Sequence, residues 1–388
     1  MRIEKLRNCT GCHGCYSICP NNAIFMKENE EGFLFPEIDK SKCIDCKLCE
    51  KVCPVIGPIQ KEKENTTAYA AINKNEQIRL NSSSGGIFTA LAEKVIDDGG
   101  VVFGAKFAED FTVIHSWTET KEGLADFRGS KYVQSVIGDS YKDCKNFLLD
   151  NRKVLFSGTP CQIQGLKKYL GQEYENLLTV DFICHGVPSP LLWKKYIEFR
   201  EKKAASQTVK TAFRRKNDGW KQYSLSFTYA NDSEYCVCHR KDPYMQIFLK
   251  DFALRTSCYD CPCRGITRTS DITLADFWGI QNLLPKMDDD KGISFVIIHS
   301  RKGAVFFNLL ENCNIEEISV LDGATYNKSI EVSPKYMEQR KDFYINLHNQ
   351  AIEKIIRKYT VIPLRTRLFR FIKRYLKKMK IFILGEKR

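Results

Sequence analysis

From residue 67 onward, short apolar runs alternate with stretches whose apolar residues recur at helical spacing. Ala68-Tyr69-Ala70-Ala71-Ile72 reads as a strand. Ser82-Ser83-Ser84-Gly85-Gly86 then opens a helix over Ile87–Asp98, with Ile87, Phe88, Leu91 and Val95 on one face and Gly99-Gly100 as its stop. Val101–Ala105 and Val113–Trp117 are further strands. Val154–Thr159 is a strand running into a glycine-containing turn, followed by a helix over Gln162–Leu170. Leu178–Cys184 has the unbroken apolar character of a buried strand, and Ser224–Tyr229, Ile272–Ala275 and Ser294–His299 are later ones. Strands alternating with helices predict a mixed, partly parallel sheet. Residues 336–388 are helical by pattern, with a break at Pro363.

The first 57 residues follow another logic, carried by cysteine. Two runs, Cys9, Cys12, Cys15, Cys19-Pro20 and Cys43, Cys46, Cys49, Cys53-Pro54, each read C-x2-C-x2-C-x3-C-P. This is the bacterial ferredoxin spacing for a [4Fe-4S] cluster, in which the fourth thiolate of each run ligates the other cluster. The expected sets are therefore Cys9, Cys12, Cys15 with Cys53, and Cys43, Cys46, Cys49 with Cys19. Structural zinc would leave half the thiols idle, and a disulfide framework belongs to secreted chains. Gly32–Pro36 is a short strand between the runs, and the polar residues 58–66 read as a linker.

Composition refines this picture in three places. The 388 residues, 43% hydrophobic and 28% charged, suffice for two or three domains. The 17 cysteines, with no apolar stretch behind Met-Arg-Ile-Glu-Lys, point to a reducing cytoplasm where thiols serve metals. No run approaches the ~18 apolar residues of a spanning helix. The net charge of +13 is concentrated in residues 353–388, which hold 13 Lys/Arg and two Glu, so the body is nearly neutral and nucleic-acid binding is not expected. In the tail, Leu364, Leu368, Phe371, Ile372, Tyr375, Leu376, Met379 and Phe382 fall on one helical face, with Arg367, Arg370, Lys373, Arg374, Lys377 and Lys378 opposite. That profile suits an anionic membrane surface, or equally a helix packed on protein.

A second cysteine group is dispersed: Cys161 and Cys184 just past two strands, and Cys258-x2-Cys261-Pro262-Cys263. Cys161 and Cys184 can reach one end of the same sheet, where Cys258 and Cys261 add a chelating pair for a third cluster. The competing reading makes Cys161 and Cys184 small core residues. Three loops, Ser82–Gly86, Gly129–Gln134 and Gly158-Thr159-Pro160, offer hydroxyls and N–H groups suited to phosphate, and Lys131 suits a pyrophosphate. His185 is a candidate proton donor, Asp276 and Trp278 candidate cofactor contacts, and Arg214-Arg215-Lys216 a candidate greeting for an anionic substrate. A structural histidine, a loop-capping aspartate, a core tryptophan and a solvated charge run are the plainer readings.

SSSGGIFTAL, GSKYVQS, FSGTPCQIQGL, FICHGVPSP, SCYDCPCRG and SDITLADFWGI, in this order after a cysteine-rich module, resemble the beta subunit of coenzyme F420 hydrogenase/dehydrogenase over roughly residues 1–345. The resemblance implies a mixed α+β and α/β chain: a ferredoxin-type domain (1–60), N-terminal-like (67–150) and C-terminal-like (151–345) family domains binding flavin and cluster, and a basic amphipathic helical tail (350–388). It implies a third cluster on Cys161, Cys184, Cys258 and Cys261. Cys263 stands where the family usually has an aromatic, so the choice among Cys258, Cys261 and Cys263 stays open here. It implies FAD near Ser83, Ser84, Gly85, Gly86, Lys131, Tyr132, Gln134 and Thr159. The expected function is an iron–sulfur flavoprotein oxidoreductase moving electrons between a one-electron donor, ferredoxin-like, and a two-electron carrier such as F420, or an organic substrate. A non-catalytic electron-transfer subunit of a larger complex is the rival reading. The tail suggests a peripheral place at the inner face of the cell membrane and work on a cell-surface polysaccharide precursor.

Overall fold

The structure is a computed structural model that describes residues 3–59 and 66–360. The membrane-tail expectation, on residues 364–388, and most of the 58–66 linker lie outside the described residues.

The N-terminal module holds one antiparallel hairpin, β1 (Ile24–Glu28) with β2 (Leu34–Ile38), and a short helix within each cysteine run, Gly14–Ile18 and Leu48–Lys51. The body contributes β3 (Thr67–Asn73), β4 (Val101–Phe107), β5 (Val113–Thr118), β6 (Val154–Ser157) and β7 (Leu177–Phe182). Then come β8 (Thr208–Arg215), β9 (Ser224–Tyr229), β10 (Glu234–Cys238), β11 (Ile272–Asp276), β12 (Ser294–Ile298) and β13 (Cys313–Ile318). Eight of these form one mixed sheet in the order β13-β3-β12-β11-β7-β6-β4-β5. Its centre, β4-β6-β7-β11, is parallel and its flanks are antiparallel. The sheet runs across residue 150: Val101–Phe103 pair with Val154–Phe156. The boundary expected there thus separates neighbouring strands of a single sheet.

Alternation along the central strands fills two layers. Val102, Leu155 and Val180 pack with Ile87, Leu91 and Val95 of the helix Ile87–Asp97. Val101, Phe103, Val154 and Phe156 face the other way, onto Tyr141, Cys144, Ile163 and Leu166 of the helices Ser140–Leu149 and Pro160–Leu170. Period-two side chains buried on both faces are what a parallel sheet centre requires. The three strands β10-β9-β8 form a smaller antiparallel sheet. Trp193, Phe213, Phe227 and Tyr244 join it to the helices Pro190–Ala204 and Pro243–Leu249, and Phe343 and Tyr359 bring in Arg340–Asn349 and Ile352–Thr360. No described helix is long and apolar enough to cross a membrane.

Candidate functional site

The two cysteine loops are copies in backbone as well as in sequence. Gly11 and His13 have φ of +68° and +61°, and their counterparts Asp45 and Lys47 have +53° and +59°. Three non-glycine residues in the left-handed region persist only where the surrounding structure dictates the turn. Here the loops curl around two cavities. Cys9, Cys12, Cys15 and Cys53 line the first with Ile3, Leu6 and Met26. Cys19, Cys43, Cys46 and Cys49 line the second with Ile24, Ile38 and Leu48. Each expected set is therefore gathered around one cavity, its fourth thiol supplied by the other run.

The chemistry of these cavities fits a four-iron cluster. The donors are all sulfur and the walls are largely apolar. The Gly11 N–H donates to Cys9 Sγ at 3.4 Å and the Ala23 N–H to Cys19 Sγ at 3.2 Å. Burial pushes the Cys12 thiol up to about 12, and Cys9 and Cys53 add to the rise. Cys15 is raised by burial, by Cys12 and by the same two neighbours. Such thiols ionise together only when a cationic centre compensates them. Among the described residues no three His, Cys, Asp or Glu side chains converge on a point for a single ion. Four thiols around each cavity match the four corners of an iron–sulfur cube.

The dispersed cysteines also meet. Since β6, β7 and β11 are parallel, Cys161 and Cys184 emerge at the same sheet end, where α/β folds place their ligands. The loop through the short helix Thr256–Cys258 brings the other two thiols there. Cys161 is raised by burial and by Cys261, Cys184 and Cys258. Burial pushes Cys184 up to about 12, with Cys258 and Cys261 adding to it. The Val187 N–H donates to Cys258 Sγ at 3.5 Å. Cys261 is held below the usual thiol range, first by a hydrogen bond from the Cys263 side chain, then by one from the Cys263 backbone and by the charges of Arg264 and Arg268. The buried Cys263 is thus a neighbour of Cys261 within the group, and Cys161, Cys184, Cys258 and Cys261 lie near enough that a charge on one would raise the others.

The residues expected around FAD are brought together only in part. Ser83 Oγ lies 2.8 Å from Ser130 Oγ and accepts from the Ser130 N–H at 2.6 Å, so the first two loops touch. Ser84 donates to the Ile293 carbonyl at 2.6 Å. A Cβ on Gly85 would lie 2.3 Å from the Ala71 carbonyl, so that glycine serves close packing on the sheet. Gly86, at φ +84°, starts the helix Ile87–Asp97. Lys131 Nζ donates to the carbonyls of Asp126 and Arg128 at 2.6 and 3.1 Å. The Tyr132 ring packs on Phe248 and Phe213. Thr159 closes a capping box with Gln162 and lies 3.1 Å from Cys161 Sγ, which makes it a neighbour of the thiol group. Gln134 faces elsewhere: its Nε2 donates to the Thr10 carbonyl at 3.0 Å, inside the first cysteine loop.

The remaining candidates divide. His185 Nε2 is 2.7 Å from Asp251 Oδ1, and the ring stands edge-on to Phe248. Trp278 stacks on the buried Trp220 at 4.6 Å. Arg214 belongs to no solvated charge run. On β8 it points inward, donating to both oxygens of Asp276, at 2.7 and 3.1 Å, and to Tyr132 Oη and the Ser83 carbonyl, each at 3.0 Å. Lys216 Nζ donates to the carbonyls of Arg79, Ser84 and Lys291. Arg215, between them, pairs with Glu234 on β10. The period-two alternation of a strand was the signal that separates Arg214 from Arg215. Sequence reading also missed Arg255, which is 1% exposed and joins the first cysteine loop to the body. Its Nε donates to the Cys9 carbonyl at 2.6 Å, Nη1 to Gln134 Oε1 at 2.9 Å and Nη2 to the Leu34 carbonyl at 2.9 Å.

Comparison with known proteins finds matches to two parts of the chain. Residues 8–56 match the family model of the 4Fe-4S dicluster domain. Residues 151–322 match the family model for the C terminus of the coenzyme F420 hydrogenase/dehydrogenase beta subunit. No curated protein matches the chain. Among solved structures, a chain of the F420-reducing [NiFe] hydrogenase complex from Methanosarcina barkeri aligns at 16% identity and a TM-score of 0.43, over 76% of this chain and 92% of that one.

Proposed function

We propose that this chain, in which residues 8–56 match the 4Fe-4S dicluster domain and residues 151–322 the C terminus of the coenzyme F420 hydrogenase/dehydrogenase beta subunit, is an iron–sulfur oxidoreductase exchanging electrons between a one-electron carrier and a two-electron carrier. One observation carries the reading: a single helix, Pro160–Leu170, serves two thiol sets. Cys161 stands at its start. One turn on, a Cβ at Gly165 would lie 2.8 Å from Cys12 Cβ and 2.9 Å from Cys12 Sγ. Four residues of helix rise only ~6 Å. The thiol sets thus run from an exposed outer one, with Cys43 and Cys46 at the surface, through the Cys9 set, to the Cys161 set at the sheet end.

In this reading Cys9, Cys12, Cys15 and Cys53, then Cys19, Cys43, Cys46 and Cys49, then Cys161, Cys184, Cys258 and Cys261 hold three [4Fe-4S] clusters. Bound FAD supplies the conversion between paired and single electrons. Ser130, Lys131 and Tyr132, with Arg214 behind them, would receive its phosphates and ring, exchanging their present contacts with Ser83, the Asp126 and Arg128 carbonyls and Phe213 for the flavin. His185, held by Asp251, is the nearest proton carrier to the Cys184 thiol in the sequence. A ferredoxin-like protein and F420 are the carriers the reading favours. The peripheral membrane role and the link to polysaccharide precursors rest on residues 364–388 alone.

The rival, an electron-transfer subunit without its own flavin, draws on a specific observation: Ser83, Ser84, Gly85, Gln134 and Thr159 already spend their polar groups on the fold. Anaerobic iron, sulfide and flavin analysis separates the two. Both predict about 12 irons and 12 sulfides per chain. Only the first predicts one flavin per chain that bleaches with a two-electron carrier. An iron count near ~8, two clusters' worth, removes the third cluster and with it the relay.

A further inference from the structure

Five arginines are buried among the described residues: Arg79, Arg214, Arg255, Arg268 and Arg340. Three are neutralised in the usual way. Arg79 meets Asp289, Arg214 meets Asp276, and Arg340 meets Glu31. A buried guanidinium without such a partner is unfavourable, because the lost hydration of the charge is not returned by neutral acceptors alone. Among the described residues, Arg255 and Arg268 have no carboxylate as a hydrogen-bond partner. Arg255 donates to two carbonyls and one amide oxygen, and Arg268 to the Cys263 carbonyl at 2.6 Å. These two are also the ones placed beside thiol sets.

Arg255 meets the two sets through different parts: its guanidinium lies at the first, its backbone at the second, and its charge also reaches the Cys258 thiol, where it offsets part of the rise caused by burial. Its side chain holds the Cys9 carbonyl. Its own carbonyl accepts from the Cys258 N–H at 2.9 Å, and its N–H donates to the Val187 carbonyl at 3.0 Å. Val187 in turn donates to Cys258 Sγ. Phe35 covers the guanidinium at 4.3 Å and Phe33 at 5.4 Å, and Gly11 gives it room: a Cβ there would lie 2.9 Å from Arg255 Nη1. The outer thiol set has no such contact with it.

From this placement we infer that Arg255 is the counter-cation shared by the metal centres on the Cys9 set and the Cys161 set, a positioning residue that raises the reduction potentials of both relative to the outer centre. One-electron reduction adds one negative charge to a centre, so a fixed, dry cation nearby favours the reduced form. The inference rests on the three-cluster reading above. It goes beyond that reading by assigning to one arginine the spacing and the energetic matching of two centres.

The test uses full-length, anaerobically reconstituted protein and redox titration followed by electron paramagnetic resonance. Wild type is measured first: fewer than three clusters would sink the functional reading itself, before any variant is compared. Arg255→Met removes the charge and keeps the length; Arg255→Lys keeps the charge and loses the three-way fork. The expected result is a shift of at least about tenfold in the reduction equilibrium against reduction, ~59 mV for one electron, at two centres in Arg255→Met. The third centre stays put, and Arg255→Lys stays close to wild type. Unchanged potentials, equal shifts at all three centres, or Arg255→Lys behaving like Arg255→Met would each overturn the inference, the last by showing that the fork and not the charge matters. If Arg255→Met fails to take up its clusters, Gln134→Glu decides. It sets a carboxylate against Nη1 without removing the arginine. A downward shift at the same two centres upholds the inference, and its absence refutes it.

Discussion

The two cysteine loops share their spacing and backbone turns and differ in nearly everything around them. Spacing, left-handed positions and the short helix that follows them are the same. Yet Thr10–Gly14 are buried, while residues 44–48 are exposed. The first loop is pressed against the helix Pro160–Leu170 and stitched by Arg255 and Gln134; the second meets solvent. Duplication therefore sets ligand geometry, and docking sets environment. Two thiol sets of the same spacing acquire different access to water and charge, which are the terms that tune a cluster.

The largest test of that contrast is an alanine at the equivalent position of each loop. Gly11→Ala puts a Cβ 2.7 Å from Gln134 Nε2 and 2.9 Å from Arg255 Nη1, on a backbone at φ +68°. Asp45→Ala changes a residue at φ +53° that is exposed. Gly11→Ala should lose about four irons per chain, one cluster's worth, and Asp45→Ala none. Equal losses would mean that docking does not distinguish the loops.

Next in size is the ion pair that seats the module. Arg340 grips both oxygens of Glu31 at 2.5 Å and the Leu254 carbonyl at 2.8 Å, with side chains 5% and 21% exposed. Arg340→Met strands Glu31, and breaking a largely buried pair costs about 3 kcal/mol. Thermal bleaching of the cluster absorbance should move to lower temperature. Lys27→Met, which removes an exposed pair with Glu37, should leave it in place. A shift in Lys27→Met as large as that in Arg340→Met would count against a seat built on buried contacts.

What was legible follows from the range of the interactions. The C-x2-C-x2-C-x3-C-P runs describe local loops, so both thiol cavities were readable, as were β4, β6, β7 and β9 from short apolar runs. Arg255 was not, because its partner Cys9 is 246 residues away and nothing in Leu254-Arg255-Thr256-Ser257 signals a buried cation. Gln134 belonged to a loop with phosphate-binding chemistry, and its turn toward Thr10 depends on where the module docks. Arg214 sat in a run of three cations whose alternation becomes visible only once β8 is known to be a strand. The sheet order β13-β3-β12-β11 was likewise beyond pattern reading, since the strands that flank β3 come from the far end of the body.

The smallest effect concerns the body beneath the first loop. His115 is buried, stacked on Phe156, with Nε2 3.0 Å from the Ser157 carbonyl. Burial lowers its pKa from 6.5 to about 4. Unfolded chains then bind a proton below pH ~6.5 that the folded protein resists until about pH 4, so the stability His115 contributes is full above the upper value and lost as the pH falls between the two. At pH ~5 the loss is about 2 kcal/mol relative to pH ~7. Urea midpoints should therefore fall across that interval in wild type. They should fall less in His115→Gln, which has no proton to gain, even though that variant starts from a lower value at neutral pH. Burial likewise lowers His13 in the first loop to about 4, whereas Lys47 in the copy is exposed, so acid should loosen the docked side of the module first. Parallel falls in the two proteins would place the acid sensitivity elsewhere and remove His115 from the contrast between the loops.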